Sequence, residues 1–278
     1  MNFHPQKCKV LSVSNRQSPL QELLPSIQYY YTLGESPLEY VNCEKDLGVD
    51  INTKFNFNDQ CNKLISKASQ KFGLTKRTCS FVTDHRRRRV LYLTLIRSQF
   101  EHCSPVWRPT GKTITDKFES FQKSCIKWIL SEENLNYYSY SNYINKCRQV
   151  NILPVSAKFD LNDLILFYKV IYQMIPLNLP DYLTLFDGNS RLRSCHLDRF
   201  SYVCSLQPKG TSNNVLDKSF FYRTHSLWNH LPLDIREINC ASSFKVKVTE
   251  YLWKQLLNNN SADFNDSLED FCPSDDQD

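Results

Sequence analysis

Basic side chains at helical spacing are the residues of this sequence best suited to chemistry with a partner. Lys63, Lys67 and Lys71 recur every fourth residue, and Lys76 and Arg77 come shortly after them. Like charges at i and i+4 of a helix repel each other by about 0.2–0.5 kcal/mol per pair. Phosphates would offset this repulsion, so we expect these five residues to contact a nucleic-acid backbone. The alternative is a solvated lysine face, which is common.

A second basic group consists of four consecutive arginines, Arg86, Arg87, Arg88 and Arg89. They open a predicted helix, and four consecutive residues point to all sides of one turn, so they cannot all contact one ligand. Positive charge at a helix N-terminus opposes the helix dipole, which predicts a nearby anion, either phosphate or carboxylate. The run is also typical of a nuclear-localisation signal. A purely structural role in ion pairs is a further alternative.

Aromatic residues raise the hypothesis of base stacking. The candidate tyrosines are Tyr29, Tyr30, Tyr31, Tyr137, Tyr138 and Tyr140. Stacking on unpaired bases is typical of single-strand binders, but packing in hairpins and in the core is the favoured interpretation here. Three tryptophans lie on apolar helical faces and are predicted to be core residues: Trp128, Trp228 and Trp253.

Eleven cysteines are present, and they include no Cys-x-x-Cys pair. An odd count without a recognisable signal peptide predicts a reducing compartment, where most of these thiols would be small buried apolar residues. Cys195, His196 and Cys204 lack a fourth ligand at a suitable spacing. A zinc site there is therefore the less favoured interpretation, and we predict no metal site.

The sequence contains no pair of carboxylates spaced as polymerase chemistry requires. Such chemistry needs acids that hold two metal ions roughly 4 Å apart. Asp46 and Asp50 are the nearby pair in the N-terminal region, and within one strand they would lie about 13 Å apart. Asp275 and Asp276 are adjacent but lie in an acidic tail. No P-loop, His-Glu-x-x-His or dinucleotide-binding motif occurs, so we predict no catalytic residue and no small-molecule substrate.

The overall charge conceals two regions of opposite sign. The chain has 278 residues and a net charge of +5, and residues 261–278 contain seven acidic residues and no Lys or Arg. The rest carries 34 basic and 22 acidic residues, a net charge of +12, which favours a polyanionic partner. No apolar run is long enough to cross a membrane. We expect an intracellular protein, nuclear or cytoplasmic, without a membrane partner.

The elements that must position these side chains are predicted to form an α+β, mainly α fold. Strands are predicted at 7–13 and 47–51, with a hairpin around residues 34–37 between them. Helical periodicity then predicts a first helix from about 58 to 72, with Lys76 and Arg77 just beyond it, and further helices at about 83–99, 114–129, 138–147, 156–174, 218–230 and 242–257. Residues 187–215 are predicted to be a loop-rich connector. The predicted regions are 1–55, rich in β-structure, helical 56–176 and 177–257, and a disordered acidic tail, 258–278.

Eight short motifs follow one another along the chain, at residues 7–11, 31–34, 45–49, 100–109, 118–123, 219–223, 228–232 and 244–245. In this order they resemble the C-terminal part of reverse transcriptases from jockey-like non-LTR (LINE) retrotransposons. Residues 7–11 (Lys-Cys-Lys-Val-Leu) resemble the strand after the catalytic aspartates, and residues 31–34 and 45–49 resemble the hairpin near the primer grip. Residues 100–109 resemble a segment that usually ends Tyr-x-Ser-x-Val-Trp-x-Pro. Residues 118–123 resemble an Ile-Glu-x-Val-Gln-Arg helix, and residues 219–223, 228–232 and 244–245 resemble the closing region.

The series covers roughly residues 7–252 and departs from the family pattern at two places. Ile144-Asn145 and Ala157-Lys158 stand where the family more often has Arg-Leu and Arg-Arg. The resemblance implies that Asp46, Leu47, Gly48 and Val49 are primer-grip-like. It also implies that 1–55 is the end of a palm, 56–176 a thumb-like region and 177–257 a C-terminal extension.

The intact family is an RNA-directed DNA polymerase that uses Mg²⁺, and the resemblance implies that its catalytic acids precede this segment. We therefore expect this chain to need no cofactor of its own and to bind RNA–DNA hybrid or duplex without polymerising. Its expected partners are RNA or DNA and the missing palm and fingers of the parent enzyme. Two alternatives stay open: a non-enzymatic helical fragment that binds proteins, and a non-functional remnant of a mobile element.

Overall fold

A computed structural model describes residues 4, 7–13, 31–132, 140–186, 198–205 and 219–269, without the side chains of 141 and 259–269. The described chain is mainly helical, with short strands in two-stranded sheets. This architecture confirms the α+β, mainly α prediction.

The N-terminal strands are short and pair locally. They are β1 (Lys9–Val10), β2 (Thr32–Leu33), β3 (Ser36–Pro37), β4 (Glu39–Tyr40), β5 (Cys43–Asp46) and β6 (Val49–Asn52). Strand β1 pairs in parallel with β4, whereas β2–β3 and β5–β6 are antiparallel hairpins. The predicted strand over 47–51 is wrong at its start, because Leu47 and Gly48 have φ angles of 45° and 92° and form the β5–β6 turn. Two consecutive positive φ angles are typical of tight hairpin turns.

Helices make up most of the remaining described chain. They are α1 (Asn58–Thr78), α2 (His85–Leu91), a π-helical segment (Tyr92–Arg97), α3 (Ser98–Glu101), α4 (Ser104–Trp107), α5 (Lys112–Leu130), α6 (Tyr140–Gln149), α7 (Val155–Ile171), α8 (Phe220–Asn229), α9 (Leu233–Arg236) and α10 (Ala241–Glu269). Strands β7 (Leu183–Leu185) and β8 (Tyr202–Cys204) form an antiparallel pair, so the predicted connector contains a strand.

The last helix is longer than the sequence pattern predicts. Helix α10 continues through residues 258–269, where the sequence predicts a disordered acidic tail. The first helix-breaking residue after Ala241 is Pro273, so no proline or glycine ends the helix earlier. Residues 270–278 lie outside the described part of the chain.

Aromatic side chains form the centre of the core. The Phe118 ring contacts those of Phe100, Trp107 and Phe159, with centroids 5.0 to 5.9 Å apart. Trp228 packs against Phe167 and Phe244 in the C-terminal part, and Trp228 and Trp253 are buried as predicted. Trp128 is half-buried and packs against the edge of the core, with the Arg88 guanidinium 5.2 Å from the centroid of its ring. Three motif residues of the resemblance, Trp107, Phe118 and Trp228, are thus structural.

A buried polar network centred on α5 fixes how the helices pack. The Glu119 carboxylate accepts hydrogen bonds from the backbone N–H groups of Val155 (3.2 Å) and Ser156 (2.8 Å) and so caps α7. It also accepts from the Tyr143 hydroxyl at 2.6 Å. Gln122 donates to the Leu153 carbonyl at 3.0 Å. Because buried polar groups are costly when unpaired, these bonds favour one arrangement of α5, α6 and α7.

A buried ionic cluster joins α7 to the segment before α5 and to α8. Asp163 is fully buried and pairs with Arg108 at 2.6 Å and with Arg223 at 2.8 Å. Arg108 also bonds to Asp160 at 2.6 Å, and Arg223 donates to the Pro105 carbonyl at 2.5 Å. These contacts join elements up to 118 residues apart in the chain.

Candidate nucleic-acid interface

Helix α1 carries four of its five basic residues on the side opposite the core. Its buried residues include Cys61 and Ala68, whereas the five predicted phosphate contacts are all exposed: Lys63, Lys67, Lys71, Lys76 and Arg77. Between Asp59 and Asp84 the chain contains these five basic residues and no acidic residue. We call Lys63, Lys67, Lys71 and Arg77 the basic face of α1.

Partners within the protein compensate part of this charge. Lys63 forms an ion pair with Asp50 on β6, and this hydrogen bond raises the pKa of the Lys63 ammonium. The Lys76 ammonium lies 5.6 Å from the centroid of the Phe72 ring. Within the described ranges, Lys67, Lys71 and Arg77 form no ion pair. Three uncompensated positive charges therefore face solvent on one side of α1.

The first two arginines of the run also face solvent. Asp84 caps α2 as expected for an acid at this position, since its carboxylate accepts from the backbone N–H groups of Arg86 (3.4 Å) and Arg87 (3.2 Å). The Arg87 guanidinium lies 3.9 Å from the same carboxylate, and both side chains are exposed. Asp84 thus supplies the nearby anion that the helix dipole requires.

The last two arginines of the run turn inward. Arg88 donates to the carbonyls of Val82 (2.6 Å) and Trp128 (2.7 Å) and to the Ser131 hydroxyl (2.7 Å). Arg89 donates to the carbonyl of Val150 at 2.7 Å. The Trp128 and Val150 carbonyls lie at or just beyond the C-terminal ends of α5 and α6, where cations are favourable. Arg88 and Arg89 are therefore structural, with carbonyls in place of the expected carboxylates, and Arg86 and Arg87 remain for phosphate.

An open groove of about 380 Å³ lies where the start of α2 meets the ends of α5 and α6. Its lining includes Arg86, Leu130, Gln149 and Asn151. His85 closes one side, with its Nδ1 atom 2.6 Å from the Ile129 carbonyl oxygen. Arg86 is the exposed cation of this lining.

The primer-grip-like residues form the β5–β6 hairpin, which is anchored to the helices. Val49 is buried, and the Asp50 amide donates to the Gln60 side-chain oxygen at 3.2 Å. The His102 Nε2 atom lies 3.1 Å from the Leu47 carbonyl oxygen. Leu47 itself is 84% exposed at the tip of the turn. The hairpin therefore packs on α1 and presents one apolar side chain to solvent.

Asp46 and Asp50 are arranged differently from the prediction. They lie on paired strands, with Asp46 opposite Val49 and Asp50 opposite Lys45. Side chains alternate between the faces of a hairpin, so the two carboxylates point to opposite faces. The expected distance along one strand was wrong, and these two acids do not fit a shared metal site. In the described part of the chain, no cluster of three or more His, Cys, Asp or Glu is placed to bind a metal ion.

The described residues include only some of the tyrosines considered for base stacking and of the residues considered for a zinc site. Tyr31 and Tyr140 are exposed, and their rings lie 6.2 Å from those of Tyr40 and Tyr143 respectively. Cys204 is half-buried on β8. Other members of these sets lie outside the described residues: Tyr29, Tyr30, Tyr137, Tyr138, Cys195 and His196.

Buried thiols are fewer than predicted. Of the nine described cysteines, only Cys61, Cys125 and Cys147 are buried. Burial raises the pKa of Cys61 and Cys147 to about 12, so these two thiols stay protonated near neutral pH.

Two exposed apolar residues in the segment that carries the basic residues, residues 63–87, were missed by the sequence reasoning. Leu74 is 58% exposed within the basic face of α1, and Phe81 is 79% exposed in the linker between α1 and α2. Periodicity gives no signal for a residue between helices. The available signal was the position of an aromatic residue between Arg77 and Arg86.

Comparisons of the chain with models of protein families, with curated proteins and with solved structures find no match. None of the helices in the described segments combines the length and the apolar character that a membrane span requires.

Proposed function

We propose that this chain binds the sugar-phosphate backbone of nucleic acid through the basic face of α1, together with Arg86 and Arg87 on α2. One observation carries the proposal: Lys67, Lys71 and Arg77 are exposed on a helix fixed by the core, and no ion pair within the described ranges compensates them. We further propose that the chain derives from the C-terminal part of a jockey-like reverse transcriptase and does not polymerise.

The spacing of the basic face suits a phosphate backbone. Residues four apart on a helix are separated by about 6 Å along its axis. The successive cations of Lys63, Lys67 and Lys71 therefore form a row that can follow a charged strand. Each cation that neutralises a phosphate releases counterions, which drives binding and makes it sensitive to salt.

Lysine-rich contacts also define what the face would recognise. A lysine ammonium is a point charge without the fixed fork of arginine, so it contacts phosphate without reading bases. The proposed ligand is therefore nucleic acid of any sequence. An RNA–DNA hybrid or a duplex follows from the proposed origin.

The proposed origin is supported by the roles of the motif residues. Trp107, Phe118, Glu119, Gln122 and Trp228 lie in the aromatic core or the buried polar network. Retention of these residue types in one order is expected if the fold of the parent enzyme is retained. The Asp46 and Asp50 carboxylates do not fit the metal site of the intact family, so no catalytic step is assigned to this chain.

Neutralising the uncompensated cations tests the function. We expect the variant K67Q/K71Q/R77Q to bind an RNA–DNA hybrid roughly tenfold more weakly at low salt, because exposed ion pairs contribute about 0.2–1 kcal/mol each. The slope of log K against log salt should become shallower by about 2.7, that is about 0.9 per lost contact. Fluorescence anisotropy across a salt series measures both quantities.

A matched control removes the same charge elsewhere. Lys245, Lys247 and Lys254 are exposed on α10, and K245Q/K247Q/K254Q also lowers the net charge by three. This control should retain the wild-type slope to within about one contact. Equal effects of the two triple variants would show that only net charge matters and would sink the assignment to α1. Wild-type protein that fails to bind at low salt would sink the function itself.

A further inference from the structure

We infer that Phe81 is a stacking platform for an unpaired base, so that the preferred ligand of the basic face contains a single-stranded segment. The inference rests on the proposed function, because it adds a stacking contact to a backbone-binding surface. It also narrows the ligand class from nucleic acid in general to nucleic acid with an accessible base.

The first argument is the exposure of the ring. Phe81 is 79% exposed, although phenylalanine is among the residue types most often buried. A single exposed apolar residue is common on protein surfaces, so exposure alone does not indicate a binding site and the neighbouring residues must be considered. The neighbours of Phe81 are a linker whose backbone is hydrogen-bonded and two exposed arginines, Arg77 before it and Arg86 after it in the sequence.

Hydrogen bonds hold the backbone of the linker on both sides of Phe81. Before Phe81, the Cys79 amide donates to the Thr75 carbonyl at 2.9 Å and ties the linker to α1. After it, the Val82 amide donates to the Cys79 carbonyl at 3.0 Å, and the Val82 carbonyl accepts from Arg88 at 2.6 Å. Because this backbone is already ordered, no backbone entropy has to be lost when a base stacks on the ring.

The basic residues on both sides of Phe81 in the sequence favour a phosphate-bearing ligand. Phe81 comes four residues after Arg77 and five before Arg86, and no acidic residue lies between Asp59 and Asp84. The Asp84 carboxylate is itself engaged by the backbone N–H groups of Arg86 and Arg87. Aromatic rings beside a positively charged track are typical of proteins that bind single strands without sequence preference.

The composition of the surface favours a nucleic acid over an anionic membrane. Membrane-surface helices bury a broad apolar face in the interface. The exposed side of α1 instead carries the polar residues Ser66, Gln70 and Thr78 between its basic residues. Within the fully described helix α1, Leu74 is the one large apolar residue that is exposed. A single leucine and a single phenylalanine suit a sugar and a base better than a lipid layer.

Substitution of the ring tests the inference. The probes are a fluorescein-labelled single-stranded DNA of about 16 nucleotides and the blunt duplex of the same sequence. F81A should bind the single strand roughly tenfold more weakly, because stacking on one aromatic ring contributes on that order. Its affinity for the blunt duplex and its salt slope should equal those of the wild-type protein.

Two further variants separate stacking from apolar contact. F81L keeps a large apolar side chain without a π-face and should lose as much single-strand affinity as F81A. F81W should retain the affinity, and the emission of the introduced tryptophan should fall when the strand binds. Phe55 is 52% exposed before the start of α1, so F55A is the control and should change neither affinity.

The outcomes distinguish this inference from the proposed function. Steep salt dependence with F81A equal to wild type on both probes would overturn the stacking platform and leave the backbone-binding function intact. Single-strand affinity retained in F81L would overturn it in favour of a general apolar contact. It would also be overturned if F81A lost binding to phosphatidylserine vesicles and kept binding to the oligonucleotide. Failure of the wild-type protein to bind either probe at low salt would overturn both proposals.

Discussion

At the scale of single residues, the arginine run shows how neighbours in sequence divide between different tasks. Adjacent residues on a helix point about 100° apart, so four consecutive side chains cannot all face the same part of the protein or the solvent. Arg86 and Arg87 remain in solvent, whereas Arg88 and Arg89 reach the carbonyls that end α5 and α6. Arg86 and Arg87 therefore belong to the candidate interface, whereas Arg88 and Arg89 cap the ends of α5 and α6.

This division predicts that substitution of Arg88 affects stability and that substitution of Arg86 does not. R88A should lower the free energy of unfolding by about 2 kcal/mol, because three charge-assisted hydrogen bonds are lost from a half-buried site. R86A should change stability by less than about 0.5 kcal/mol, as is usual for exposed residues. Urea denaturation measures both values.

The same pair should behave in reverse in binding assays. R86A should reduce the salt dependence of nucleic-acid binding by about one contact, whereas R88A should leave it unchanged while the protein is folded. If R88A altered the salt slope and left stability intact, the assignment of Arg88 to the helix cap would be wrong.

At the scale of elements, α1 and the β5–β6 hairpin place the candidate interface. The hairpin packs on the N-terminal half of α1 through Asp50, Gln60 and Lys63, and the core fixes the opposite side of the helix. Periodicity predicted α1 and its exposed lysines correctly. It could not predict the turn at Leu47 and Gly48, because alternating apolar residues hid a change of strand.

Two glycine variants test these elements with the same chemical change. Gly48 has a φ of +92°, and an added Cβ atom would lie 3.4 Å from the His102 side chain. G48A should therefore destabilise the protein by about 1–2 kcal/mol. Gly73 lies within α1, and the nearest atom to an added Cβ is 3.5 Å away, on the flexible Arg77 side chain.

G73A should stabilise the protein by roughly 0.5–1 kcal/mol, because alanine favours the helix. Thermal or chemical unfolding of the two variants checks both signs. Similar losses in both variants would contradict the assignment of Gly73 to an unstrained helix interior. Nucleic-acid affinity should be unchanged in G73A, since the change adds no charge.

At the scale of the whole molecule, the separation of charge is the main property. Residues 261–278 contain seven acidic residues, and the rest of the chain has a net charge of +12. An acidic segment on the same chain as a basic surface competes with phosphates at a high effective concentration. The proposed interface is therefore expected to be partly suppressed in the full chain.

Deletion of residues 261–278 should raise the affinity for nucleic acid several-fold at low salt, and the gain should shrink as salt screens the charges. A full-length variant with the seven acids changed to their amides is the matched control and should reproduce the gain. An inert tail would leave all three affinities equal. A gain from deletion alone would assign the effect to the presence of the segment rather than to its charge.

The sequence by itself determined the properties that depend on local pattern. Helical periodicity fixed the mainly helical class, the exposed side of α1 and the cap at Asp84. Composition fixed the basic body and the acidic segment. These predictions need only neighbouring residues, since helix faces and caps are set within a few positions.

Tertiary structure alone decided which of these residues are available to a partner. The carbonyl oxygens of Trp128 and Val150, which accept hydrogen bonds from Arg88 and Arg89, lie 40 and 61 residues away in the chain. The opposite faces of Asp46 and Asp50 follow from a turn, and the exposure of Phe81 follows from how the linker between α1 and α2 is anchored. Such contacts join distant segments, so no local pattern in the sequence encodes them.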